Sequence, residues 1–266
     1  MSQKSRISSI INTQQLSESI TNFPTFDLAQ LNIEETLDFE LPTNLRLGHL
    51  AERVVSGLIK SSSNFNLLHE NVQLIENKTT IGELDFIVKN LESGEIIHFE
   101  LAYKFYLLDP SLSQNQINNW IGPNRRDSLI EKLEKLKSKQ FPLLHHDCTQ
   151  DTLSDLKVNN LSQSLCFLIS LFVPHEFKEN LTPEFAKAVK GYYADYATFQ
   201  KMHNASKYYF LPHKKEWGID PSENERWMTF EEINEELTFS IAEKQSPLIW
   251  QKEGSTFSEL FVVWWG

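Results

Sequence analysis

The strongest constraint on this chain is a pair of apolar segments joined by a short polar turn. Gly82-Glu83-Leu84-Asp85-Phe86-Ile87-Val88 is followed by Glu92-Ser93-Gly94-Glu95, and then by Ile96-Ile97-His98-Phe99-Glu100-Leu101-Ala102-Tyr103-Lys104. Two apolar runs around a glycine-containing turn predict a β-hairpin. Side chains alternate along a strand, so Glu83 and Asp85 share one face, while His98, Glu100 and Lys104 share a face of the next strand. Aspartate is depleted from strands, and both runs are apolar enough to be central strands covered by helices. A carboxylate lodged there needs a lysine or a divalent cation as partner. Glutamates and lysines on a solvated hairpin face, joined by weak cross-strand ion pairs, are the plainer alternative.

A chain of 266 residues suffices for one large domain or two small ones. Its 40% hydrophobic and 23% charged residues give the profile of a soluble globular protein. No apolar run is long enough to span a bilayer, so no membrane partner is expected. The segment Met1–Arg6 lacks the apolar core of a secretory signal, and Cys148 and Cys166 do not form a close pair. A cytoplasmic location with reduced thiols is expected. The net charge of −11 argues against a protein that coats nucleic acid over its whole surface. A nuclease is not excluded, because its metal-binding carboxylates add negative charge and its groove can be basic locally. Arg125, Arg126, Lys132, Lys135, Lys137 and Lys139, set against Asp127, Glu131 and Glu134, make one such local excess of positive charge. A solvated helix face of mixed charge is the competing reading.

Residues 1–44 read as an irregular, partly helical lead-in. Leu47, Leu50, Val54, Val55, Leu58 and Ile59 recur at helical spacing and predict a helix that ends at Ser61-Ser62-Ser63-Asn64. A strand near 71–76 precedes the hairpin. Trp120-Ile121-Gly122-Pro123-Asn124 is a turn leading into a second helix with Leu129, Ile130, Leu133 and Leu136 on its apolar stripe. The continuous run from Leu165 to Val173 predicts a buried strand. Beyond it, Thr182-Pro183 opens a helix, and Thr229 with Glu232 forms a capping box. Tyr208–Pro212 reads as a short strand, and 248–251 with 260–265 as a terminal strand pair. The expected organisation is a core over 45–175 and a C-terminal α+β extension over 176–266.

The order of a helix with Glu52, a strand with Asp85, and a strand with Glu100 and Lys104 resembles the PD-(D/E)XK nuclease superfamily. More narrowly, Gly82-Glu83-Leu84-Asp85-Phe86, Glu100-Leu101-Ala102-Tyr103-Lys104-Phe105-Tyr106 and Trp120-Ile121-Gly122-Pro123-Asn124-x-x-Asp127 resemble the bacterial domain of unknown function 1853, from about Leu45 to the C-terminus. The superfamily resemblance implies an α/β fold with a restriction-endonuclease-like core, a mixed central sheet flanked by helices. It further implies Glu52, Asp85, Glu100 and Lys104 as catalytic residues. Asp85, Glu100, Glu52 and the Leu101 carbonyl would then ligate Mg²⁺ or Mn²⁺, with DNA or RNA as substrate.

One position departs from that pattern. The usual lysine lies two residues after the glutamate, where this chain has Ala102. Lys104 lies on the same face but starts about 6.6 Å further along the strand. Its flexible side chain can reach back over Ala102; alternatively Lys132 or Arg126 supplies the charge, or the site is inactive. Arg125, Arg126 and Lys132 are the expected nucleic-acid contacts, helped by a helix N-terminus. Two functional expectations follow, with the oligomeric state open in both. The first is a magnesium-dependent phosphodiesterase, and the second is a catalytically inactive nuclease-fold protein acting in binding or assembly.

Overall fold

A computed structural model of the chain describes residues 2–33, 37, 39–42 and 44–265. The fold is α/β, a large mixed sheet flanked by helices. Its helices are α1 (Gln3–Ile11), α2 (Glu18–Thr21), α3 (Leu47–Lys60), α4 (Leu129–Lys135), α5 (Asp147–Thr152), α6 (Pro183–Ala188), α7 (Tyr196–Met202) and α8 (Phe230–Ala242). The strands are β1 (Phe65–Glu76), β2 (Thr79–Asn90), β3 (Ile96–Leu108), β4 (Trp120–Ile121), β5 (Ser162–Pro174), β6 (Val189–Asp195), β7 (Lys207–Phe210), β8 (Leu248–Glu253) and β9 (Thr256–Val263). None of the described helices is long and apolar enough to cross a membrane.

The chain divides into two compact units. One, here the hairpin unit, comprises Gln15–Tyr103 and Glu131–Leu168; the other, the terminal unit, comprises Met1–Gln14, Lys104–Ile130 and Ile169–Gly266. Two of the four boundaries fall inside strands, after Tyr103 in β3 and after Leu168 in β5; the others follow Gln14 and Ile130, the latter inside α4.

In the hairpin unit, β1, β2 and β3 pair antiparallel in sequence order. The first connection is a two-residue turn in which Asn77 and Lys78 both have positive φ, 48° and 65°, matching the twist of the flanking strands. The second turn is held by Asn90, whose side-chain Oδ1 accepts from the Glu92 and Ser93 amides, and it closes with Gly94 at φ +75°. The stripe expected on α3 is buried along its whole length, and the helix stops at Ser61 as its apolar periodicity ends. It packs against β1. A core of Leu74, Leu84, Ile87, Leu144, Leu153, Val158 and Leu161 lies beneath the strands.

In the terminal unit, β6 runs parallel to both β5 and β9, while β8 pairs antiparallel with β9 and with β7. The capping box at Thr229 forms as its spacing predicts: Glu232 accepts from the Thr229 amide, and Thr229 Oγ1 accepts from the Glu232 amide. The helix it starts, α8, buries Ile233 and Leu237 against Phe199, Tyr209, Ile249, Leu260 and Val262.

Candidate functional site

The ladder between β2 and β3 pairs Phe86 with Phe99 and Ile87 with His98. The ladder ends at Phe86 and Phe99, and Asp85 and Glu100 are the next residues of the two strands. The two faces of the hairpin then part company chemically. On one, Phe26, Phe99 and Phe86 stack in succession, with ring centroids 4.0 and 4.9 Å apart. The other carries the polar residues that β3 buries, His98 and Glu100, whose side chains are 0% exposed.

Those two side chains belong to a hydrogen-bonded network. Gln163 Nε2 donates to the Phe141 carbonyl at 2.8 Å and to His98 Nδ1 at 3.1 Å. Because an amide nitrogen only donates, His98 Nδ1 is the accepting nitrogen and Nε2 carries the proton. That proton goes to Glu100 Oε1, 3.1 Å away. Gln140 Nε2 donates to the other oxygen, Oε2, at 2.6 Å. Both oxygens of the buried carboxylate are therefore satisfied, as burial of a charge requires.

Asp85 is held differently. Its Oδ2 accepts from the Leu101 amide at 2.8 Å, a side chain taking the backbone donor of the neighbouring strand. Burial first, and then repulsion from Glu100, push its pKa up to about 8; the Leu101 amide works against that rise, Glu52 adds to it, and Lys132 opposes it. Glu52 sits on α3, part-exposed, 3.1 Å from His49 Nδ1. Lys132 donates to Gln140 Oε1 at 2.7 Å.

A family model described as Domain of unknown function (DUF1853) matches residues 4–261, nearly the whole chain. The chain belongs to the DUF1853 family. No match was found among curated proteins or among solved structures.

Within this DUF1853 chain, the hairpin unit brings together Asp85, Glu100 and Leu101 and places Glu52 and Lys132 within electrostatic reach of Asp85. Lys104 lies in the terminal unit, where its Nζ donates to Asp127 Oδ2 at 2.8 Å. Arg125, at φ 55°, donates to Asp109 at 3.0 Å and lies 4.7 Å from the centre of the Trp265 ring. Arg126 is exposed.

The Trp120–Asp127 motif of the DUF1853 chain is a tightly folded loop. Gly122 donates its amide to the Asp127 carbonyl at 2.7 Å and accepts from the Arg125 amide at 2.8 Å. The Pro123 carbonyl accepts from Trp265 Nε1 and from Ser246 Oγ. A Cβ on Gly122 would meet Asp127 Oδ1 at 2.0 Å, so any side chain there requires the Asp127 carboxylate to move.

Sequence pattern alone sets His98 on the Glu100 face of its strand and gives no signal for Gln140 or Gln163. An amide carries no pattern of its own, and only tertiary pairing shows that both glutamines serve the Glu100 site. Among the described residues, no group of three or more His, Cys, Asp and Glu side chains is gathered to hold a metal ion. A cation here would rest on the Asp85–Glu100 pair, with Glu52 nearby. That all-oxygen set suits Mg²⁺, which is commonly held by one or two carboxylates and several waters.

Proposed function

We propose that this protein is a Mg²⁺- or Mn²⁺-dependent phosphodiesterase of the bacterial cytoplasm that hydrolyses DNA or RNA, on a restriction-endonuclease-like core. One observation carries the reading. Asp85 and Glu100 stand on neighbouring strands, Glu100 fully buried and Asp85 part-buried with its Oδ2 on the Leu101 amide, and burial and the charge of Glu100 raise the Asp85 pKa. Folding two acids against each other costs stability, and a divalent cation offsets that cost.

Asp85 and Glu100 would hold the ion, with the Leu101 carbonyl as a further oxygen ligand and Glu52 contributing through water. When bound, the ion lowers the pKa of a coordinated water and offsets charge on the phosphate. In the reaction a water oxygen bonds to phosphorus, one P–O ester bond breaks, and the departing oxygen takes up a proton. The products are an alcohol and a phosphate monoester. His98 and Gln140 each donate to one oxygen of Glu100 and so fix its carboxylate. The superfamily's usual lysine position is Ala102 in this chain, and Lys104, two residues beyond it on β3, is the candidate to stand in for that lysine.

A second reading has its own support. Both Glu100 oxygens already accept hydrogen bonds from the protein, as they would in a nuclease fold retained for binding or assembly alone. Calorimetric titration of Mn²⁺ into wild type and Asp85→Ala separates the two. The phosphodiesterase reading expects binding in wild type that the variant loses. Absence of binding in wild type at millimolar Mn²⁺ favours the non-catalytic protein.

A further inference from the structure

The ladders of the terminal unit set Phe210 of β7 opposite Trp250 of β8, and Trp250 opposite Glu259 of β9. The three side chains therefore lie side by side on one face of the sheet. Phe210 and Trp250 stack with ring centroids 5.5 Å apart, and both line a cavity of about 500 Å³ within that unit. A volume of that size is typical of a small-molecule site. Glu216, Glu223 and Glu225 line it as well, against a single base, Arg226. Among the described residues, none of these four charged groups takes part in an ion pair. Glutamates around a cavity are by themselves solvated surface. Glu259 is not: it is 9% exposed, and its Oε2 has no hydrogen-bond partner. Its neighbour on β6 is Gly191, which offers the carboxylate no side chain. Burial pushes the Glu259 pKa up to about 7; Lys190 works against that rise and Asp220 adds to it. A buried carboxylate that lacks a donor is costly, and a group with positive charge and N–H donors removes that cost.

We propose that this cavity binds a linear alkylamine carrying two or more ammonium groups, with its methylenes on the Phe210–Trp250 floor, one ammonium directed to Glu259 and another to the glutamates of the rim. The site lies in the terminal unit and stands apart from the phosphodiesterase reading. Methylene chains lie along apolar surface while their ammonium ends stay with polar partners, and an aromatic face attracts a cation. Glu223 Oε2 accepts from Ser5 Oγ and Glu216 Oε2 from the His213 amide at 2.7 Å, so each rim carboxylate is anchored through one oxygen and keeps the other for a ligand. A quaternary ammonium satisfies the rings but has no N–H to give Glu259. An anion would gain Arg226 and face three glutamates.

The test titrates spermidine, a linear triamine, calorimetrically at low salt into wild type, Glu259→Gln, Glu225→Gln and Arg226→Gln, with tetramethylammonium as the comparison ligand. Wild type should take up one spermidine per chain. Glu259→Gln should weaken binding about 10-fold through the loss of a charge-assisted hydrogen bond. Glu225→Gln should weaken it and Arg226→Gln should tighten it, each roughly 3-fold. Both of these side chains are exposed, so the two variants keep the fold, and a change of opposite sign is not what unfolding would produce. Tetramethylammonium should bind more weakly than spermidine and be unaffected by Glu259→Gln. No uptake at millimolar spermidine overturns the proposal, as do several weak sites that neither Glu259→Gln nor Arg226→Gln alters. Tetramethylammonium binding as tightly as spermidine overturns the ammonium contact with Glu259.

Discussion

Asp85 Oδ2 accepts the Leu101 amide at 2.8 Å, so a carboxylate occupies a hydrogen-bonding place beside the β2–β3 ladder. The single donor stabilises the charged form, but burial and Glu100 outweigh it and raise the pKa from 3.8 to about 8. The balance favours the protonated form of Asp85 near neutral pH, so a divalent cation bound there would displace a proton.

Stability should follow that proton. Below about pH 4 folded and unfolded chains both carry it, and the site costs nothing. Between about pH 4 and pH 8 the unfolded chain has released the proton and the folded chain keeps it, so this group's contribution falls as pH rises. Above about pH 8 the full penalty is present. Asp85→Asn removes the titration and should gain stability relative to wild type across that window. Thermal denaturation at about pH 4, 6 and 8 reads the difference, and a gap that does not widen with pH would mean that Asp85 is ionised in the folded protein.

Metal binding should show the reverse dependence. Ligands bind a cation in their deprotonated form, so Mn²⁺ uptake releases a proton and its apparent affinity climbs until about pH 8. Calorimetry in two buffers of different ionisation enthalpy counts the released protons. Near pH 6 the expected count approaches one for wild type; a count near zero would place the ion elsewhere.

The hairpin, and the strand faces that carry Asp85 and Glu100, are legible in the amino-acid order alone, because apolar alternation and a short polar turn mark them. The helix over Leu47–Lys60, the buried strand through Leu165–Val173 and the capping box at Thr229 are legible for the same reason: each is carried by a dense local pattern. The strand β6 is not. Val189-Lys190-Gly191-Tyr192-Tyr193-Ala194-Asp195 contains a glycine and several polar groups, and what makes it a strand is parallel pairing with β5 and β9, both distant in sequence. Gly191 itself records the crowding, since a Cβ there would meet the Glu259 carbonyl at 2.0 Å. At the candidate site, the acids are readable from their alternation, whereas Gln140, Gln163 and the protonated nitrogen of His98 depend on partners chosen only in the folded state.

The aromatic face of the hairpin should carry much of its stability. Phe99 is 0% exposed and lies between Phe26 and Phe86. Phe99→Ala removes a buried ring and leaves a cavity, which typically costs about 3–5 kcal/mol. Urea denaturation should show a lower midpoint at an unchanged slope. A loss below about 1 kcal/mol would mean that the strands close over the gap.

Gly122 and Asp127 make a paired prediction. The ion pair of Lys104 and Asp127 is open to water, with side chains 34% and 45% exposed, so Asp127→Ala should cost less than about 1 kcal/mol. Gly122→Ala should cost more, about 1–3 kcal/mol, because the new methyl drives the Asp127 carboxylate from its place in a packed loop. The double variant tests the cause: with the Asp127 side chain gone, the Gly122→Ala penalty should shrink. Equal penalties in both backgrounds would assign the clash to the backbone instead.

Adjacent arginines should behave differently, although the sequence pattern treats them alike. Arg125 is tied to Asp109 at 3.0 Å and lies over Trp265, while Arg126 is exposed. Arg125→Ala breaks an ion pair whose aspartate is only 13% exposed, together with a cation–π contact. Its expected cost is about 1–2 kcal/mol of stability, with little change in how steeply nucleic-acid affinity falls with salt. Arg126→Ala should leave the melting temperature unchanged and, under the phosphodiesterase reading, weaken oligonucleotide binding uniformly across sequences. If the Arg126 guanidinium neutralises one phosphate, its removal lowers the salt slope by about one. Fluorescence anisotropy with a labelled oligonucleotide across a salt series measures that slope. If Arg125→Ala flattens the slope and Arg126→Ala does not, the phosphate is held by the arginine that also anchors the loop, and the division of labour drawn from their surroundings is wrong.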